Sequence, residues 1–234
     1  MVDLSEDLAG VVAAFKNARR AERGRTLAFM GLGPRCGAST VAREFARLCA
    51  AGASKPVVLF DLGFNRNPHY AAFAQASARA RYGALGAARP AVMGGRQFWR
   101  VNPAVVRADG KRAGDDLLGL HQVGASALFV SAFRHEGLRP RQRVLLAHDP
   151  TYWREAKRRC EAVIVDTPGP HKGRAGLKLA AQLDAVVLVA GPNVTDQDVW
   201  AGAQAVDTLG GRCVGLILSR VGAAKRPVNR PRAA

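Results

Sequence analysis

Six short, uninterrupted apolar runs constrain this chain more than any other feature. They lie at residues 26–31 (TLAFMG), 57–62 (VVLFDL), 127–132, 162–167 (AVIVDT), 185–190 (AVVLVA) and 214–219 (VGLILS). Continuous runs of this length suit strands buried on both faces, whereas a strand with one wet face alternates apolar and polar residues. Between the runs the spacing turns helical. Val41, Phe45, Leu48 and Cys49 share one face of a helix predicted over 39–51. Thr195, with Asp198 three residues on, reads as an N-cap for a helix carrying Val199, Ala203, Val206 and Leu209 and stopped by Gly210-Gly211. Strands alternating with helices predict an α/β fold with a mostly parallel central sheet flanked by helices.

The 234 residues suffice for one large domain. That domain is expected over 1–222 and begins with an amphipathic helix at 3–20. Leu4, Leu8, Val11, Val12 and Phe15 form its apolar face, and Asp3 with Glu6 forms an N-cap pair. Residues 223–234 (AAKRPVNRPRAA) are basic, proline-rich and aperiodic, which predicts a disordered tail. Residues 83–116 mix Gly, Pro, Ala and Arg and resist assignment, apart from an edge strand expected at 97–101.

Composition removes several function classes. A hydrophobic share of 48% argues against wholesale disorder. No run approaches the roughly 20 apolar residues of a membrane span. The first fifteen residues lack the basic-then-apolar order of a secretory signal, so a cytoplasmic location is expected. Cys36, Cys49, Cys160 and Cys213 form no CxxC pair, which speaks for reduced thiols and against a metal cluster. The formal net charge of +17 favours anionic partners: nucleic acid, an anionic membrane surface or an acidic protein. The basic clusters at Arg19-Arg20, 139–143, 154–159 and 225–232 form no stripe with interleaved aromatics, so a specific nucleic-acid role is the weaker reading.

The chemistry sits at the ends of the runs. The first leads into Gly31-Leu32-Gly33-Pro34-Arg35-Cys36-Gly37-Ala38-Ser39-Thr40. A strand, a glycine-rich loop and a helix starting near Ser-Thr is the context of a phosphate-binding loop, whose backbone N–H groups and helix dipole face the anion. Such loops end in Gly-Lys-[Ser/Thr]; here the lysine position is Ala38. A plain strand-to-helix turn fits that loop equally well. Asp61 lies near the end of the second run and Asp166 near the end of the fourth, at the carboxyl ends of parallel strands where open α/β sheets place ligands. Either aspartate could hold a metal-bound water or simply cap a turn.

In this order the segments resemble the ParA/MinD-type P-loop ATPases, and among them the bacterial tyrosine autokinases of exopolysaccharide synthesis. The resemblance runs from the first helix to Val221. It is carried by the loop, by Asp61-Leu62-Gly63-Phe64-Asn65-Arg66-Asn67-Pro68, by Asp166-Thr167-Pro168-Gly169 and by Leu218-Ser219-Arg220-Val221. It implies a single P-loop NTPase-like domain that binds ATP and Mg. Gly33, Arg35, Gly37, Ser39 and Thr40 would hold the nucleotide, Ser39, Asp61 and Asp166 the metal, and Asp61 and Asp166 would be catalytic. The departures are Ala38 for the loop lysine, Gly33 for the second lysine of ParA-type loops, Gly63 for the second aspartate and Ser219 for the late asparagine. The helical Glu-x-x-Arg-x-x-Arg pattern of ring assembly is missing from 3–20, and the only tyrosines are Tyr70, Tyr82 and Tyr152, none in the tail.

The resemblance therefore implies a degenerate autokinase relative with weak or no ATP turnover. It would act as a regulatory partner for the cytosolic segment of a membrane polysaccharide co-polymerase, peripheral at the inner membrane and capable of self-association. An active ATPase or kinase using Arg35 or Lys172 as the missing cation is the second expectation. A ParA-like positioning protein bound non-specifically to DNA is the third.

Overall fold

The computed structural model describes residues 3–17, 24–64, 66–106, 110, 112–114 and 116–220. In chain order the elements are α1 (Ser5–Asn17), β1 (Arg25–Gly31), α2 (Ala38–Ala50), β2 (Val57–Asp61), α3 (Pro68–Ala74), α4 (Ala76–Tyr82), β3 (Arg89–Pro90), β4 (Trp99–Asn102), β5 (Val105–Val106) and β6 (Arg112–Ala113). They continue as β7 (Leu118–Gln122), β8 (Leu128–Phe133), β9 (Arg143–Leu146), α5 (Pro150–Arg159), β10 (Ala162–Thr167), α6 (Ala175–Ala180), β11 (Ala185–Ala190), α7 (Asp196–Thr208) and β12 (Cys213–Leu218).

Eight strands make one sheet in the order β12-β11-β1-β10-β2-β8-β7-β3. The first six are parallel. β7 turns back antiparallel to β8, and β3 pairs antiparallel with β7. The six apolar runs of the sequence are those six parallel strands, shifted by at most one residue at either end.

Side chains on a strand alternate between the two faces of the sheet. Leu27, Phe29, Leu59 and Ile164 therefore meet Val41 and Phe45 of α2, Leu8 and Val12 of α1, and Phe73 of α3. Phe45 lies edge-on to Phe15 at 5.3 Å and against Phe29 at 5.1 Å, which fixes α1 over α2. Ala28, Met30, Phe60 and Val165 face the other way, toward Phe98, Trp99, Tyr152 and Trp153. Each large side chain buried there contributes about 1.5–3 kcal/mol.

Two sequence expectations need correction, and one stretch without an assignment proves helical. The edge strand expected at 97–101 is Trp99–Asn102, and it pairs with β9 in a separate two-stranded sheet. The reason is its alternation: Trp99 and Val101 are buried in the aromatic cluster while Arg100 and Asn102 face out. The first helix begins at Ser5 rather than Asp3. Asp3 still accepts the Ser5 N–H at 3.0 Å, but its carboxylate also pairs with Arg47 and Arg81, tying the start of α1 to α2 and α4. Finally, α3 and α4 fill 68–82, a stretch the sequence did not mark as helical. The capping box of Thr195 and Asp198 is present at α7. Residues 18–20 of the expected first helix, the expected tail 223–234 and the basic clusters at Arg19-Arg20 and 225–232 lie outside the described residues.

Candidate functional site

Pairing register brings the acidic ends together. Asp166 stands opposite Phe29 of β1 on one side and opposite Asp61 of β2 on the other. Neighbouring strands lie about 4.8 Å apart, so the two aspartates stand side by side on adjacent strands, at the end of the sheet where β1 runs into its loop. A cavity of about 630 Å³ opens there. Gly33, Arg35, Gly37, Ser39, Thr40, Asp61 and Asp166 all line it, together with Ala38, Gly63 and Lys172.

The loop has the shape of an anion cradle. Gly37 caps α2 with φ of 87°, a left-handed conformation that favours glycine. Arg35 is also left-handed, at φ 53°, a strained state for a residue with a side chain. Thr40 and Val41 N–H groups close the first turn on the Gly37 carbonyl. The N–H groups of Arg35, Cys36 and Gly37 meet no acceptor among the described residues. Ala38 is the first residue of α2, and its methyl is buried at the cavity wall. Gly169, after β10, packs directly on the loop: a Cβ there would sit 1.9 Å from the Gly31 carbonyl oxygen. On the far side the Ser219 hydroxyl donates to the Cys36 carbonyl. The loop after β10 and the end of β12 thus hold the cradle from two directions.

The acidic floor includes a residue that the sequence reading missed. His69, fully buried at the start of α3, places Nε2 3.1 Å from Asp166 Oδ2. Asn67 delivers it there: its amide exchanges two 2.8 Å bonds with the backbone of Phe133 and docks the chain onto β8 just before α3 begins. A lone histidine after Pro68 carries no sequence signal of such a role. Asp61 is anchored by its own N–H on Ser131 Oγ at 2.9 Å, and its Oδ1 accepts the Gly63 N–H at 2.8 Å. Burial raises the Asp61 pKa above its ordinary value, His69 and Lys172 oppose that shift, and Asp166 adds to it.

Two buried polar atoms, Asp61 Oδ2 and His69 Nδ1, have no partner among the described residues. An unpartnered buried carboxylate oxygen beside a loop of free N–H groups fits a hydrated cation with an anionic ligand. Among the described residues no group of three or more His, Cys, Asp and Glu side chains forms a metal cage. A magnesium ion would have to complete its shell with Ser39, water and ligand oxygens, as this ion commonly does.

By fold, the chain is a P-loop NTPase-like α/β protein. More particularly, it has the fold of bacterial tyrosine kinase domains. It is 17% identical to the BceF tyrosine kinase domain, with a TM-score of 0.56 over 92% of this chain and 76% of that one. The kinase domain of the Escherichia coli tyrosine kinase ETK is 16% identical, with a TM-score of 0.56 over 100% of this chain and 83% of that one. The VpsO kinase domain is 14% identical, with a TM-score of 0.52 over 93% and 95%. No protein-family model and no curated protein sequence matches the chain.

Proposed function

We propose that this chain is a degenerate relative of the exopolysaccharide tyrosine autokinases. It would bind ATP and Mg weakly, turn ATP over slowly or not at all, and act through contact with the cytosolic segment of a membrane polysaccharide chain-length protein. The observation that carries this reading is Ala38. It stands as the first residue of α2, lines the cavity, and puts a buried methyl where the loop cation would stand. Gly63 beside Asp61 likewise brings no second carboxylate to the cavity. Phosphoryl transfer depends on cations placed around the transferring group.

The remaining residues have definable tasks. The N–H groups of 35–37 and the start of α2 would bind phosphate oxygens. Ser39, Asp61 and Asp166 would hold the metal, which supplies charge neutralisation when bound, and His69 fixes the Asp166 carboxylate in place. The tyrosines support a loss of autophosphorylation: Tyr152 is buried in the core, and Tyr70 and Tyr82 are half-buried against His121 and Phe73. No helix among the described residues is long and apolar enough to cross a membrane.

The second reading, an active ATPase or kinase, draws on Arg35 and Lys172, cations that both reach the same cavity. Radiolabelled ATP separates the two. The first reading expects no label on the protein and negligible phosphate release above a heat-treated control. Turnover that disappears in Lys172→Ala would establish the second reading instead.

A further inference from the structure

β12 is the outer strand of the sheet, paired with β11 alone among the described residues. The Ser219 N–H donates to the Ala190 carbonyl at 2.8 Å. By strand alternation Ile217 also faces β11, and the backbone N–H and C=O groups of Leu216 and Leu218 point away from the sheet. An open row of donors and acceptors is a template for one more strand, and edges are normally shielded by charge, proline or a covering element. This edge carries no charge or proline from Cys213 to Leu218. A register shift near Val214 disturbs its start, and from Gly215 onward the pairing is regular. Its side chains are unusually bare: Val214 is 47% exposed, Leu216 41% and Leu218 61%.

The charges around it are mostly basic, with Asp207 near Cys213 and Asp184 in the groove as the acidic exceptions. Arg212 precedes the strand and Arg220 follows it, both exposed. Neither has an ion-pair partner among the described residues. A groove running under Val214 and Leu216 also contains Arg25 and Arg154, whereas its Lys157 is already paired with Asp184 at 2.6 Å.

We propose that β12 is a docking edge for an extended segment of another protein, apolar at alternate positions and acidic at both ends. The strand itself is six residues long, or roughly 20 Å at strand rise, which sets the length of the apolar part of that segment. A second copy of β12 is a poor occupant. Antiparallel self-pairing would set Arg212 of one copy near Arg220 of the other, like charges facing across strands, on a chain of net charge +17. Residues 221–234 suit the edge no better, because Pro227 and Pro231 lack the N–H a ladder needs and Lys225, Arg226, Arg230 and Arg232 repeat the charge of the flanks. The proposal does not rest on the nucleotide reading of the cavity.

The probe is a fluorescein-labelled peptide of alternating Val and Thr with Glu-Asp at each end, titrated with the full chain and followed by fluorescence anisotropy. Binding should weaken as salt rises. It should weaken by about tenfold in Leu216→Pro, which removes an outward-pointing donor from an edge position where proline is tolerated. The double variant Leu216→Gln/Leu218→Gln removes the apolar contact without a backbone change and should weaken it similarly, with an unchanged circular dichroism spectrum. Arg212→Glu should weaken binding of this peptide and spare one with Ser-Thr ends. Absence of binding, or binding indifferent to all three variants, would overturn the proposal. So would a dimer in sedimentation that Leu218→Gln dissociates, or binding that appears only after removal of residues 221–234.

Discussion

Replacing Ala38 by lysine perturbs the cradle at a single point, and its two effects have opposite signs. Ala38 opens α2 beside the free N–H groups of the loop. A cation at a helix start opposes the macrodipole by about 0.3–1 kcal/mol. It would also stand at a wall already carrying Arg35 and Lys172. Without ligand, Ala38→Lys should therefore lose up to about 1 kcal/mol, or about 2–4 °C in Tm for a chain of this size. With ATP the balance reverses. A charge-assisted hydrogen bond to phosphate contributes about 1.5–3 kcal/mol, which is about 10–100-fold in affinity at about 1.4 kcal/mol per decade. Isothermal titration with Mg-ATP gives the affinity, and thermal unfolding with and without nucleotide gives both signs. A generic packing defect would lower stability in both states and could not tighten binding. Equal affinity in the two proteins would refute the phosphate-cradle reading of the loop. Tight micromolar binding with turnover in the unmodified chain would refute the degenerate-site reading.

Two further expectations follow from burial. The Asp61 carboxyl has its pKa raised above 3.8 by desolvation, so its contribution to stability is whole below pH 3.8 and is lost as pH climbs through the folded value. Asp61→Asn should accordingly gain on the unmodified protein in urea unfolding from pH 4 upward and then level off, and a flat difference across that range would contradict it. Among the thiols, burial pushes Cys49 up to about 12 and Cys160 up to about 11. Both should resist iodoacetamide at pH 8 while the half-buried Cys213 is labelled first, as peptide mapping would show.

The central sheet was legible because strands buried on both faces need little context: 162–167 and 185–190 are strands over their full length. The acidic floor was legible for a related reason, since Asp61 and Asp166 terminate such runs and parallel pairing then brings them side by side. The region after β2 was not. β7 is short, with Gly, His and Gln among its five residues, and turns antiparallel, and β4 finds β9 some forty residues away, a pairing that no local pattern announces. α3 and α4 are rich in Ala and Arg and bury only His69, Phe73 and Ala78, too few to print a helical stripe. His69 is the costliest omission: its partner Asp166 lies 97 residues on, and only the folded chain joins them.

Ser219, by contrast, matters for what it connects. It ends the outermost strand and its hydroxyl holds the Cys36 carbonyl inside the loop, while Arg220, the next residue, borders the cavity. The rim of the sheet and the anion cradle are therefore one mechanical piece. Linkage makes any influence between them mutual: an anion that tightens the grip of the rim by some factor is itself held tighter by that factor when the rim is filled. Filling the rim and filling the cradle are in that sense two readings of one coupling, and a change at either end is felt at the other in equal measure.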